Sequence, residues 1–197
     1  MVRLYFLYRY LYYLLRRRKG ITYTIKKGDH YASVFRKIPD KVIPFTGNSL
    51  KFEFEINESW KHLPMNCVSK VYGFTEGRVH QNSCRLGVRP VMVGENKYYD
   101  LVGYVYCDGK SPNDYKGLKV YLLRAQLHDK ILANLFRVAD RYYFELYNTG
   151  SGFFSGSRWT LAGRDRKVGS ICFPYAGGED PADGDVKITI TEIKGYL

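Results

Sequence analysis

A chain of 197 residues, 45% of them hydrophobic, is long enough to bury one core and short enough to hold a single domain. Its formal charge of +12 favours polyanions as a class (nucleic acid, phosphorylated ligands, acidic glycans or anionic lipid) and selects none of them. Four cysteines without a Cys-x-x-Cys pair argue against a disulfide framework in a chain of this length, so a reducing compartment is the simpler reading.

The basic charge is uneven. Arg3, Arg9, Arg16, Arg17, Arg18 and Lys19 stand in residues 1–20 with no acid among them, and they supply half of the excess. Residues 2–15, VRLYFLYRYLYYLL, read as a short helical leader. Such a helix is about 21 Å long, against roughly 30 Å of bilayer hydrocarbon, and Arg9 falls mid-span, so no transmembrane span is expected. The basic cluster follows the apolar stretch and no small-residue cleavage site appears, which argues against a signal peptide. Tyr5, Tyr8 and Tyr12 recur at helical spacing, as do Leu4, Leu7, Leu11 and Leu15, so a lone helix exposes apolar surface. The leading reading is docking to a protein assembly or neighbouring subunits through Tyr5, Tyr8, Tyr12, Arg16, Arg17 and Arg18. Interfacial membrane contact and an incidental extension are the alternatives.

Residues 21–197 read as one domain. Residues 21–26, ITYTIK, alternate as a first strand, and Lys27-Gly28-Asp29 is a turn. Residues 39–48 hold Pro39, Pro44, Gly47 and Asn48 and read as a loop around a short strand. The clearest strand is 50–56, LKFEFEI, with Phe52, Phe54 and Ile56 on one face and Lys51, Glu53 and Glu55 on the other. Residues 68–74, 84–93 and 98–107 follow as strands, with Asp108-Gly109 as a hairpin signal. Residues 118–127, 142–147, 171–175 and 186–193 complete the set, and 127–139 fits a helix or a strand equally well. Eight or nine short strands between Gly, Pro, Asp and Asn turns, with no βαβ alternation, predict an all-β fold: an antiparallel β-sandwich or jelly roll behind a short N-terminal helical leader. Cys107 and Cys172 fall inside apolar strand runs and read as core thiols.

Two polar segments stand out. Residues 73–90, GFTEGRVHQNSCRLGVRP, hold the candidate ligand-binding residues Arg78, His80, Asn82, Arg85 and Arg89. In a strand, Arg85 points away from Cys84 and Leu86 and shares a face with Gly87 and Arg89, so two guanidiniums beside a donor-rich loop can clamp a carboxylate or phosphate. The competing reading pairs these arginines with Glu53, Glu55 or Glu76. Residues 173–186 bring together Glu179, Asp180, Asp183 and Asp185, but the spacing matches no EF-hand, and an acidic turn without metal is expected. No G-x-S-x-G elbow, P-loop or H-E-x-x-H is present, the four histidines are scattered, and no cofactor is implied. Glu53 and Glu55 form the one carboxylate pair on a strand face, more simply read as a solvated face than as a glycosidase pair.

Three segments, 25–31 (IKKGDHY), 73–87 (GFTEGRVHQNSCRLG) and 173–186 with its FPYAGG, make the chain from about residue 21 to 193 similar to short β-rich proteins encoded by gut Bacteroidales and their phages. That family pattern has a second His beside the one matching His80 and a Trp after the Gly matching Gly87, where this chain has Val79 or Gln81 and Val88. The resemblance implies the β-rich fold and a phage or gut-bacterial origin, and that the middle and last polar segments lie together. A binding or structural role is favoured over catalysis: a β-sandwich module, virion-associated or otherwise assembly-bound through its leader, in the cytoplasm or a virion. A soluble binder of an anionic small molecule, nucleotide or glycan is the alternative, and a glycan hydrolase or lyase is the third reading.

Overall fold

The computed structural model describes residues 20–33, 44–45, 49–164, 169–178 and 180–193. The predicted leader therefore lies outside the described residues except for Gly20, and so do Glu179 and most of the loop expected at 39–48.

Among the described residues thirteen strands follow in chain order: β1 (Ile21–Ile25), β2 (Ala32–Ser33), β3 (Pro44–Phe45), β4 (Ser49–Glu55), β5 (Ser69–Thr75), β6 (Ser83–Val93), β7 (Asn96–Tyr106), β8 (Lys119–Ala125), β9 (Lys130–Val138), β10 (Arg141–Asn148), β11 (Arg158–Leu161), β12 (Gly169–Cys172) and β13 (Val186–Glu192). They form a seven-stranded sheet, β11-β10-β9-β4-β13-β1-β2, and a six-stranded sheet, β3-β12-β5-β6-β7-β8. Every pairing is antiparallel. The fold is the expected all-β sandwich of jelly-roll type.

Period-two alternation builds the core between the sheets. Phe52 and Phe54 of β4, Ile131, Ala133 and Leu135 of β9, Tyr142, Phe144 and Leu146 of β10, and Val186, Ile188 and Ile190 of β13 face inward from the larger sheet. Tyr72, Phe74, Cys84, Leu86, Val88, Tyr99, Leu101 and Val105 meet them from the smaller one. Gly103 lets the sheets close at β7: a Cβ there meets the Phe144 ring at 2.8 Å. A short 3-10 turn, Glu58–His62, inserts the buried Trp60, whose ring stacks on Phe54 and whose Nε1–H donates to the Lys187 carbonyl at 3.1 Å.

Several local expectations change. Residues 127–139 are strand: β9 carries a clean inward–outward alternation from Lys130 to Val138. Cys107 is half-buried just beyond β7, whereas Cys84 and Cys172 are the buried thiols. Asp108-Gly109 does make a two-residue turn, with both φ angles positive, but it closes only the Cys107–Lys110 bridge. The partner strand β8 begins later, at Lys119.

Candidate functional site

The outer face of the six-stranded sheet is assembled from β5, β6, β7 and β8. Register places Lys70 opposite Gly87, Gly87 opposite Val102, and Val102 opposite Tyr121. One step along, Gly73, Arg85, Tyr104 and Lys119 lie side by side; beyond them come Thr75, Ser83 and Tyr106. In the other direction stand Arg89, Asp100 and Arg124.

Lys70 reaches this face because β5 carries a bulge between Lys70 and Tyr72. Strict alternation puts Lys70 on the side of Tyr72 and Phe74, in the core, and the extra residue turns it outward. Lys70 and Arg85 are each only 8% exposed. The Lys70 ammonium lies 4.5 Å from the Tyr104 ring centre and 5.2 Å from that of Tyr175, and the Arg85 guanidinium lies 5.5 Å from Tyr104 and 5.3 Å from Tyr106. Among the described residues neither cation is paired with an acid; Lys70 Nζ donates to the Val68 carbonyl at 2.7 Å. Burial and, after it, the charge of Arg85 lower the Lys70 amine from 10.5 to about 8. Burial pushes the Tyr104 phenol up to about 12, with the neighbouring Tyr106 adding to the effect. Tyr175 is raised as well, mainly by burial.

The segment after β12 forms one wall. Tyr175 exchanges backbone hydrogen bonds with Lys70 at 2.7 and 2.8 Å, and the Gly177 N–H donates to Ser69 Oγ at 3.0 Å. Gly177 allows this approach: a Cβ there stands 1.9 Å from the Val68 carbonyl oxygen and 3.0 Å from Lys70 Nζ. His30 stacks on Tyr175, Tyr31 meets the same ring edge-on, and His30 Nδ1 lies 2.9 Å from the Ala176 carbonyl. His30 and Tyr31 of residues 25–31 thus meet Tyr175 of residues 173–186 beside Lys70, and Arg85 of residues 73–87 shares the Tyr104 ring with Lys70.

Three buried polar atoms, Ser83 Oγ, Arg85 Nε and Arg89 Nε, have no partner among the described residues. An unmade bond of that kind costs about 1–3 kcal/mol, and two of the three belong to arginines facing outward. The face therefore holds cations and donors that the described residues leave uncompensated.

Arg85, Gly87 and Arg89 share the predicted face, but the arginines differ. Arg89 Nη2 donates to Asp100 Oδ2 at 3.0 Å, and Arg124 donates to both oxygens of Asp100, at 2.7 and 3.3 Å. Pairing with an acid thus holds for Arg89, through Asp100 rather than through Glu53, Glu55 or Glu76. Burial pushes the Asp100 carboxyl up, and the hydrogen bonds from Arg124 and Arg89 outweigh it, leaving the group below the usual carboxylate value. Glu76 instead serves Arg137 and Tyr142. His80 is exposed with its ring edge-on to Tyr106 at 5.2 Å, at the border of the cluster. Asn82 is buried, and its Oδ1 accepts from the Asp108 N–H at 2.9 Å, so it braces the adjoining turns. Arg78 is exposed on the turn, where its carbonyl accepts from the Gln81 and Asn82 N–H groups. The docking residues Tyr5, Tyr8, Tyr12, Arg16, Arg17 and Arg18 lie outside the described residues.

Sequence reasoning missed Lys70, Tyr104, Tyr106, Tyr175, Asp100 and Arg124. In the acidic segment, Asp185 accepts from Lys26 Nζ at 2.6 Å and from the Lys27 N–H at 3.0 Å, and Asp183 meets His62 Nδ1 at 2.7 Å. Among the described residues no group of three or more His, Cys, Asp or Glu side chains is arranged to hold a metal ion, and no helix is long and apolar enough to cross a membrane.

Fold and face together define a jelly-roll β-sandwich whose smaller sheet carries a cationic, tyrosine-lined outer face. No protein-family model matches the chain, and no curated protein matches it significantly. Solved structures of similar shape include the alginate lyase vAL-1 from Chlorella virus, at 11% identity and a TM-score of 0.45, covering 91% of this chain and 86% of that one. A functionally unknown protein from Saccharomyces cerevisiae matches at 11% identity and a TM-score of 0.49, covering 93% and 98%. The exoplasmic/lumenal domain of VIP36, solved with Ca2+ and Man3GlcNAc, matches at 11% identity and a TM-score of 0.43, covering 91% and 85%. At such identities no residue's role passes from them to this chain.

Proposed function

We propose that the outer face of the six-stranded sheet binds a carboxylated glycan and cleaves it by β-elimination. The observation that carries this reading is the Lys70–Arg85 pair, two adjacent buried cations with no acid among the described residues to neutralise them, set among tyrosine rings. Tyrosine rings give a sugar apolar faces and hydroxyl partners at once. Arg85 supplies a planar fork for a carboxylate.

The chemistry follows from the same groups. In a uronate the proton on C5 sits beside the carboxylate, and neutralising that carboxylate makes the proton removable. Lys70, lowered to about 8, supplies a neutral amine at mildly alkaline pH and acts as the base. The electron pair left at C5 forms the C4–C5 double bond, the C4–O bond breaks, and the departing oxygen takes a proton from the Tyr104 phenol, which burial keeps protonated. Hydrolysis is the poorer reading, because it needs two carboxyl groups across the scissile bond. Among the described residues of these strands the face offers Asp100, whose oxygens are taken by Arg89 and Arg124.

The test is a panel of polymannuronate, polyguluronate, polyglucuronate and polygalacturonate, followed by the ultraviolet absorbance of the unsaturated product and by calorimetry. At least one polymer is cleaved by the wild type, Arg85→Ala loses binding, and Lys70→Met loses turnover. Binding without product reduces the face to a receptor; neither binding nor product on any polymer ends the proposal. Docking of the domain to an assembly or virion by residues 1–20 is a separate proposal, carried by the leader's spacing of aromatic and basic residues. A chain without the leader then keeps its glycan chemistry and loses its partner.

A further inference from the structure

We infer that Arg89 and Arg124, braced by Asp100, form a second carboxylate subsite on the same face, so that the ligand is a uronate chain spanning both subsites rather than a single sugar. The inference rests on the carboxylated-glycan reading and adds to it a requirement for length.

Placement comes first. Arg85 and Arg89 stand four residues apart on the outward side of β6, which sets the two subsites about 13 Å apart at 3.3 Å per residue. That is longer than one sugar ring. Between them the face is apolar: Val68 and Val102 close over Gly87, where a Cβ would meet Val68 Cγ1 at 2.6 Å and Val102 Cγ2 at 3.1 Å, and Tyr121, 52% exposed, stands at the edge beside Val102.

Charge comes second. One carboxylate serves two guanidiniums, so the cluster keeps a net positive charge. Asp100 is fixed: its side chain is 2% exposed, and it takes Arg124 Nε and Nη2 and Arg89 Nη2. The arginine side chains are 40% and 42% exposed, so both are partly open to solvent. Arg89 Nε is buried without a partner among the described residues. A carboxylate that holds two arginines by part of their donors orients the rest, which is how a positioned anion site differs from a solvated surface arginine. Arg124 also lies 5.7 Å from the Tyr98 ring centre, which limits its rotamers.

The experiment uses the full chain and a ladder of oligouronates of increasing length, made from whichever polymer of the panel the wild type binds. For the wild type, affinity and kcat/KM rise steeply at the length that first spans both subsites. In Arg124→Ala the ratio of long-chain to short-chain affinity falls roughly tenfold, the scale of one lost charge-assisted contact at a half-exposed site. Arg124→Lys keeps the charge without the fork and falls between the two, and melting curves confirm that both variants are folded. An unchanged long-to-short ratio in Arg124→Ala overturns the inference while leaving the site at Arg85 intact. So does a wild type that binds the shortest oligomer as well as the longest. A wild type that binds no uronate of any length removes the underlying reading and this inference with it.

Discussion

Replacing Lys70 with methionine keeps most of the side chain's stem and removes its charge. Lowering the amine from 10.5 to about 8 means that the folded chain holds this proton poorly. At about 1.4 kcal/mol per pH unit, the charged amine costs the fold about 3 kcal/mol near neutral pH. Loss of the bond to the Val68 carbonyl takes back about 1 kcal/mol, so Lys70→Met is expected to gain about 2 kcal/mol. For a domain of this size that raises Tm by roughly 4–8 °C. The pH dependence has a definite sign. Below about 8 the group is charged in both states and the full cost is present; from there to 10.5 the folded chain releases its proton while the unfolded chain keeps it. Wild-type stability therefore climbs by about 3 kcal/mol across this window, so the gap of about 2 kcal/mol closes and the wild type ends about 1 kcal/mol the more stable. The measurement is the difference in Tm between the two proteins by circular dichroism at a series of pH values. A variant less stable than wild type near neutrality, or a gap that does not change with pH, refutes the account of Lys70 as a strained, functional cation. If the proposed elimination holds, turnover by wild type is expected to rise with pH as Lys70 becomes neutral, and the variant to show none.

The other expectations are structural. Gly73→Ala places a Cβ 2.2 Å from the Cys84 carbonyl oxygen and 2.7 Å from Arg85 Cα, both backbone, so a loss of about 1–3 kcal/mol or more is expected in denaturant melts. Asp100→Asn leaves Arg89 and Arg124 without their anion and costs about 1–2 kcal/mol, discounted because both arginines are half-exposed. Since Asp100 sits below the usual carboxylate value when folded, its contribution is full above that range and is lost as pH falls through its folded value; acid unfolding of the variant should lack this component. In native protein a thiol reagent labels the half-buried Cys67 and Cys107 and spares Cys84 and Cys172 until unfolding, Cys84 being also pushed well above the usual thiol value by burial. Fast native labelling of Cys84 contradicts the packing of β6.

Most of the fold was legible because alternation is a local signal. The run LKFEFEI states its inward face outright, and β4 buries Phe52 and Phe54, followed by Ile56, as expected. The same reasoning placed Arg85, Gly87 and Arg89 on one face of β6 and kept Cys84 and Leu86 in the core. It failed at Lys70 because a bulge is invisible to a period-two count: one extra residue at Val71 exchanges the faces of everything before it.

The pairing of Arg89 with Asp100 needed a different signal, and the sequence holds it. Gly94-Glu95 is a two-residue turn with a positive φ at Gly94 alone, the requirement of a type II′ hairpin. Once that turn is recognised, register runs outward from Val93 opposite Asn96, and Arg89 must face Asp100 and Arg85 must face Tyr104. A tight turn therefore fixes both subsites at once, one as an arginine braced by a carboxylate and the other as an arginine covered by a tyrosine. That difference decides their chemistry. At Arg89 the protein supplies its own anion and leaves a modest residual charge. Beside Arg85 it supplies aromatic rings and a second cation, and no acid among the described residues. Folding alone gains nothing from burying two like charges together, so the Lys70–Arg85 pair is held against its own electrostatics.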